Sequence, residues 1–210
     1  MSFAGKIVML TGAAGTGKST LAAECAARIR PLHKVDIGQW LLEAKRKQGY
    51  PELTYEQLRT LSADIITPED VRAADFAFVE SLSDLRAQTH VIVDSHAVTR
   101  ETFGYRITHF SLDDLRRIAF DAIVITYCDP DAWLERRSSN PQGRPELSRF
   151  EVQHHMALQE MIGLNYAVAC GCPCYVLDTT SQSPSQLSDR VRGIICSIGG
   201  VVSDHPNRLK

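Results

Sequence analysis

The sequence predicts an α/β protein: a five-stranded parallel sheet with helices on both faces, forming three layers and carrying a small lid. Three observations predict it. Short apolar runs alternate with helical patterns along the chain, the arrangement that yields parallel sheets covered on both sides. A glycine-rich turn separates the first apolar run from an Ala-rich helix. The 210 residues, 44% of them hydrophobic and 23% charged, suit one domain with a sizeable core, and there is no repeat or low-complexity segment.

Lys6–Thr11 reads as the first strand, followed after the turn by a helix over Ser19–Arg30 that Pro31 stops. His33–Ile37 is the second strand, Gly38–Lys47 a helix and Tyr55–Leu61 a shorter one. Pro68 and Asp70 open a long helix to about Arg86, with Val71, Ala74, Phe78, Val79 and Leu82 on one face. His90–Asp94 is the third strand, and a loop containing Gly104 follows. Ser111 caps a helix over Leu112–Ala119, with Asp113 and Asp114 in its first turn. Ala122–Tyr127 is the fourth strand, Asp131–Ser138 a short helix, Ser139–Glu146 a Pro/Gly loop and Leu147–Ala169 a long helix. Tyr175–Leu177 is the fifth strand and Gln186–Ile198 the closing helix. This gives one domain over residues 1–198, then a loose polar tail over 199–210. His154 and His155, on the long helix, read as exposed polar surface.

A net charge of −2 argues against a surface devoted to nucleic acid. No run is long enough to cross a bilayer. The four-residue run Ile7–Leu10 is too short for a signal peptide, so the expected location is the cytoplasm. In that compartment the six cysteines are expected to be reduced. Cys170, Cys172 and Cys174 cluster, yet no second pair elsewhere completes a zinc set, so they read as residues entering a buried strand.

Gly12-Ala13-Ala14-Gly15-Thr16-Gly17-Lys18-Ser19 fits G-x-x-x-x-G-K-[ST] without exception, with a strand before it and a helix after it. Its glycines let several backbone N–H groups turn inward around phosphate, and the helix adds its positive end. Lys18 reaches the terminal phosphates of ATP, and the Ser19 hydroxyl is placed to ligate Mg2+. Gly12, Ala14, Gly15, Thr16, Gly17, Lys18, Ser19 and Thr20 are therefore the expected nucleotide contacts, in the three-layer fold of the P-loop NTPases. A dinucleotide fingerprint is the rival, with Asp36 as the ribose acid, but its glycines follow G-x-G-x-x-G and these do not.

Asp94 closes the third strand, where an acid in such proteins supports the metal; Ser19 and Asp94 are the expected metal residues. Arg59, Arg100, Arg106, Arg136, Arg137 and Arg144 could stabilise a migrating phosphate or hold an acceptor. Arg136 and Arg137 end the short helix before Ser138–Pro145, which has the composition of a lid that excludes water.

In this order the chain resembles the nucleoside monophosphate kinases, most closely the archaeal-type adenylate kinases, over roughly residues 5–180. Beyond the phosphate loop, Gly38-Gln39-Trp40-Leu41-Leu42-Glu43-Ala44 resembles that family's Gly-Asp-x-Met-Leu-x-Ala helix. Tyr55-Glu56-Gln57-Leu58-Arg59-Thr60-Leu61 resembles its Asp-Glu-Met-Arg-x-Leu segment, and Val91-Ile92-Val93-Asp94-Ser95-His96 its Val-Ile-Val-Asp-Thr-His. Gly104-Tyr105 and Arg136-Arg137 also match. The resemblance implies an acceptor-binding insertion over about 38–86, a lid over about 138–148, and an acceptor phosphate held by Arg59. It also implies Lys18, Asp94, Arg136, Arg137 and Arg144 as the catalytic set.

Departures fall on the acceptor side. Arg106-Ile107-Thr108-His109-Phe110 replaces a Pro-Gly-Leu-Pro stretch. The lid motif is reduced to a single, displaced Arg144. Glu69, Asp70 and Arg72 stand where the family carries a glutamine against adenine. The expected activity is transfer of the γ-phosphate of Mg·ATP to a small acceptor, AMP or another nucleoside monophosphate first. The alternatives are a kinase of a non-nucleotide metabolite and an ATP-binding regulator or slow ATPase. A metal-dependent nucleic-acid processor lacks a concentrated basic surface. Oligomeric state is open.

Overall fold

The computed structural model describes residues 3–60, 65–101, 104–139 and 147–204. All five expected strands enter one parallel sheet: β1 (Ile7–Gly12), β3 (Leu32–Asp36), β4 (His90–Asp94), β7 (Ala122–Tyr127) and β8 (Cys174–Asp178), in the order β3-β4-β1-β7-β8. The register sets Leu10 beside Asp94, Asp94 beside Asp36 and Gly12 beside Thr126. The C-terminal strand ends therefore gather the phosphate loop and two carboxylates, the position where such sheets bind ligands.

Strand alternation divides the core. Ile7, Met9, Val91, Val93, Ile123 and Ile125 face α4 (Pro68–Gln88), α5 (Leu112–Ile118) and α7 (Arg149–Cys170), through Phe78, Leu115 and Tyr166. Val8, Leu10, Ile92 and Val124 face α1 (Lys18–Arg28) and α8 (Pro184–Ser197), through Leu21, Cys25, Val191 and Ile195. Two further helices, α2 (Ile37–Lys47) and α3 (Tyr55–Thr60), make a smaller core from Leu42, Leu53, Leu58 and Ile66. The last helix, α6 (Pro130–Ser139), follows β7. Capping boxes start α4, α5, α7 and α8, with Thr67, Ser111, Ser148 and Ser183 bonding reciprocally to Asp70, Asp114, Glu151 and Gln186. Among the described residues, no helix is long and apolar enough to cross a membrane.

Several expectations are corrected. Ile37 opens α2 instead of ending a strand, because the Asp36 carboxylate accepts the Gly38 N–H at 2.9 Å and caps the helix. The first helix stops at Arg28; Ile29–Arg30 (β2) is extended and pairs antiparallel with Ser203–Asp204 (β9). The start of the expected tail is thus held. His90 holds it too: Nδ1 accepts the Lys6 N–H and Nε2 lies 2.9 Å from the carbonyl of Val201, so the proton sits on Nε2 and is donated there.

The segment read as a loop after Asp94 contains an antiparallel ribbon, β5 (Val98–Glu101) with β6 (Gly104–Ile107). His155 is buried, not surface: its Nε2 lies 3.1 Å from the Val98 carbonyl and ties α7 to this ribbon. Gln159 adds to the tie by accepting the N–H groups of Ala97 and Val98 and donating to Thr11. Cys170, Cys172 and Cys174 are half-buried against the sheet core, and burial raises their thiols, Cys172 to about 11.

Candidate active site

The phosphate loop leaves β1 and enters α1 through Gly17, the helix N-cap, whose φ of 84° is open to glycine at little cost. Three neighbouring elements fix the loop. Thr16 Oγ1 donates to the Ala13 carbonyl and lies 2.8 Å from Thr126 Oγ1 on β7. Thr179, just past β8, donates from its hydroxyl to the Thr16 carbonyl at 2.7 Å. From α6, the Trp133 indole N–H donates to the Ala14 carbonyl at 2.8 Å. The indole lies so close that a Cβ on Gly15 would come within 2.3 Å of its nitrogen. These contacts brace the loop backbone, which lowers the cost of ordering it around a phosphate.

Lys18 and Asp94 are both buried and directly paired, the lysine donating to Oδ1. Burial pushes the Asp94 carboxyl upward. The charge and hydrogen bond of Lys18, the charge of Lys34 and the Ser19 hydrogen bond outweigh this and hold it below the usual carboxylate range. Asp94 Oδ2 is buried and accepts no hydrogen bond, while Lys34 Nζ stands 3.6 Å from it. An ionised carboxylate with one buried oxygen that accepts no hydrogen bond, together with the hydroxyl of Ser19, is a hard oxygen donor set of the kind magnesium prefers. Ser19 and Asp94 therefore fit that ion, which when bound would neutralise charge on the phosphates.

The arginines are placed unequally. Arg136 donates through Nη2 to the carbonyls of Thr179 and Thr180 at 2.5 and 2.6 Å, beside the loop but committed to backbone. The Arg137 guanidinium lies over the Trp133 ring at 5.3 Å. Arg100 pairs with Glu151 at 2.6 Å, and Arg106 pairs with Glu101 and donates to the Ile66 carbonyl. Arg59 belongs to α3, but its side chain is outside what the structure describes, as is Arg144 altogether. Ser19 and Thr20 are exposed at the start of α1.

A groove of about 610 Å3 runs along the free edge of β3, lined by Lys34, Asp36, Gln39, Trp40, Ser81 and Asp84 among others. It meets the phosphate site through Lys34, whose Nζ is also 3.8 Å from Asp36 Oδ2. Asp36 spends Oδ1 on the Gly38 N–H and on the Tyr55 hydroxyl at 3.2 Å, which suits a helix cap better than a ribose-binding acid. Sequence reasoning missed Lys34, Thr126, Trp133 and Thr179. Only Trp133 carried a local signal, its position four residues before Arg137 on one helix face.

A family model described as an AAA domain matches residues 11–152. An adenylate kinase from Methanopyrus kandleri is 22% identical over 91% of this chain and 96% of its own length. Among solved structures, a shikimate kinase from Acinetobacter baumannii bound to shikimate superposes with a TM-score of 0.56 at 16% identity, covering 98% of this chain and 96% of its own. A sugar kinase from a Janibacter species superposes with a TM-score of 0.54 at 18% identity, covering 94% of this chain and 99% of its own. At these identities the structures establish the fold alone, and the two kinases are named for different acceptors.

Proposed function

The chain belongs to the AAA domain family and has the fold of the P-loop kinases, and from this premise we propose that it transfers the γ-phosphate of Mg·ATP to a small acceptor, a nucleoside monophosphate such as AMP first. The observation that carries this reading is the buried Lys18–Asp94 pair at the mouth of an ordered phosphate loop. In this reading the loop from Gly12 to Thr20 binds the triphosphate, and Lys18 leaves Asp94 for the terminal phosphates. Ser19 and Asp94 hold the metal, supported by the uncommitted Oδ2. Arg136, Arg137 and Arg144 balance charge on the moving phosphate, and Arg59 holds the acceptor. Positioning and electrostatics supply the catalysis, since phosphoryl transfer asks little covalent chemistry of the protein. The six cysteines are unpaired, which suits a cytoplasmic protein.

A second reading, an ATP-binding regulator or slow ATPase, is favoured by one observation: Arg136 is already engaged with two backbone carbonyls. ADP formation from Mg·ATP, measured with AMP, CMP, UMP, GMP, dTMP, shikimate and simple sugars in turn, separates the two. Acceptor-dependent turnover supports the kinase and names its substrate. Turnover indifferent to every acceptor favours the regulator.

A further inference from the structure

The carboxylate of Asp94 faces two lysines, and only Lys18 belongs to the phosphate loop. Lys18 donates to Oδ1, whereas Oδ2 is buried and accepts no hydrogen bond. Lys34 Nζ stands 3.6 Å from that oxygen, too far for a good hydrogen bond but close enough for a strong Coulombic attraction. The same nitrogen is 3.8 Å from Asp36 Oδ2, the less committed oxygen of the α2 cap. Strand register explains the shared reach: Lys34 and Asp36 are two residues apart on β3, so both project to one side of the sheet, and Asp36 is paired beside Asp94. The Lys34 side chain is 25% exposed and lines the groove along the β3 edge, so it has room to move.

An ammonium at this place has two opposed effects. It keeps Asp94 charged and turned toward the phosphate loop, and it repels a dication from the one oxygen left for it. A free metal ion meets that repulsion in full. A metal ion carried on a triphosphate brings compensating negative charge, and Asp36 Oδ2 offers Lys34 a second partner at almost the same distance. We propose that Lys34 is a positioning residue that keeps free divalent metal off Asp94 until nucleotide phosphates accompany it, and that it passes from Asp94 to Asp36 when the metal binds. The inference rests on the reading of Asp94 as the metal-supporting carboxylate.

The test titrates the full chain, without nucleotide, with Mn2+ as the probe, following unbound Mn2+ by electron paramagnetic resonance. Wild type, Lys34→Met, Lys34→Arg, Asp94→Asn and the Lys34→Met/Asp94→Asn double variant are compared. Removing one positive charge beside the site is expected to tighten nucleotide-free Mn2+ binding by about tenfold or more in Lys34→Met. Lys34→Arg stays near wild type, the gain disappears in the double variant, and saturating ATP narrows the difference. Equal or weaker Mn2+ binding by Lys34→Met overturns the proposal, and so does a gain that survives loss of Asp94. If Asp94→Asn leaves Mn2+ binding with ATP unchanged, the assignment of Asp94 fails instead. Should Lys34→Met not fold, as judged by circular dichroism, the neutral variant Lys34→Gln carries the same expectation.

Discussion

Trp133 supplies the sharpest test of how the phosphate loop is held. The residue is 4% exposed, packs with Cys128 and Val152, donates to the Ala14 carbonyl and lies against Gly15. Trp133→Ala removes a whole buried ring and opens a cavity, expected to cost about 3–5 kcal/mol of folding stability. Trp133→Phe keeps most of the ring but leaves the Ala14 carbonyl without its donor, a loss of about 1–2 kcal/mol. Both variants loosen the loop, so ATP affinity should fall, on the order of tenfold in Trp133→Ala, or ~1.4 kcal/mol of lost preorganisation. Urea unfolding followed by far-ultraviolet circular dichroism reads stability without relying on the deleted fluorophore, and calorimetric titration reads ATP binding. A Trp133→Ala variant destabilised by less than about 1 kcal/mol, with unchanged ATP affinity, would refute the idea that α6 braces the loop.

Gly15 and Asp75 give two further expected outcomes. Gly15 has a φ of 97° and its missing Cβ is replaced by the Trp133 indole, so Gly15→Ala should lose about 1–3 kcal/mol of stability and most ATP binding; a variant that binds ATP normally would contradict the close approach. The buried Asp75 carboxyl is pushed up to about 7 by burial and by the charge of Asp114. The folded state thus keeps a proton that the unfolded state has lost between about pH 4 and 7, so this group's stabilisation is present below pH 4 and is lost as pH rises through 7. The change amounts to at most ~4 kcal/mol. Asp75→Asn should flatten this dependence and be the more stable protein at pH 8; chemical denaturation at pH 5.5 and 8 compares the two, and parallel profiles would sink the assignment.

The three central strands β1, β4 and β7 were legible because they are buried on both faces and so appear as short apolar runs, from Ile7–Leu10 to Ala122–Ile125, whereas the edge strands β3 and β8 are only partly buried. The phosphate loop was legible because its chemistry lies within eight consecutive residues, and Asp94 because it ends one of those runs. What escaped is what sequence distance hides. Thr126, Trp133 and Thr179 reach the loop across 110, 119 and 163 residues, and no local pattern announces such contacts. Lys34 carries no local signal either; its reach to Asp94 follows from the register, which sets Asp36, two residues further along β3, beside Asp94. His155 was readable in principle, since Val152, His155, Gln159 and Gly163 recur at helical spacing on the buried side of α7. The β5–β6 ribbon lacked the apolar run of the other strands and depends instead on His155, Gln159 and Tyr105 for its attachment to α7.

The most direct measurement follows the γ-phosphate itself. ATP labelled in that phosphate is incubated with Mg2+, the protein and each acceptor, and the label is located after a single turnover. Transfer at the Lys18–Asp94 site predicts label on one acceptor, with little as inorganic phosphate, and loss of the transfer in Lys18→Ala. Label released only as inorganic phosphate, whichever acceptor is present, would contradict the kinase reading.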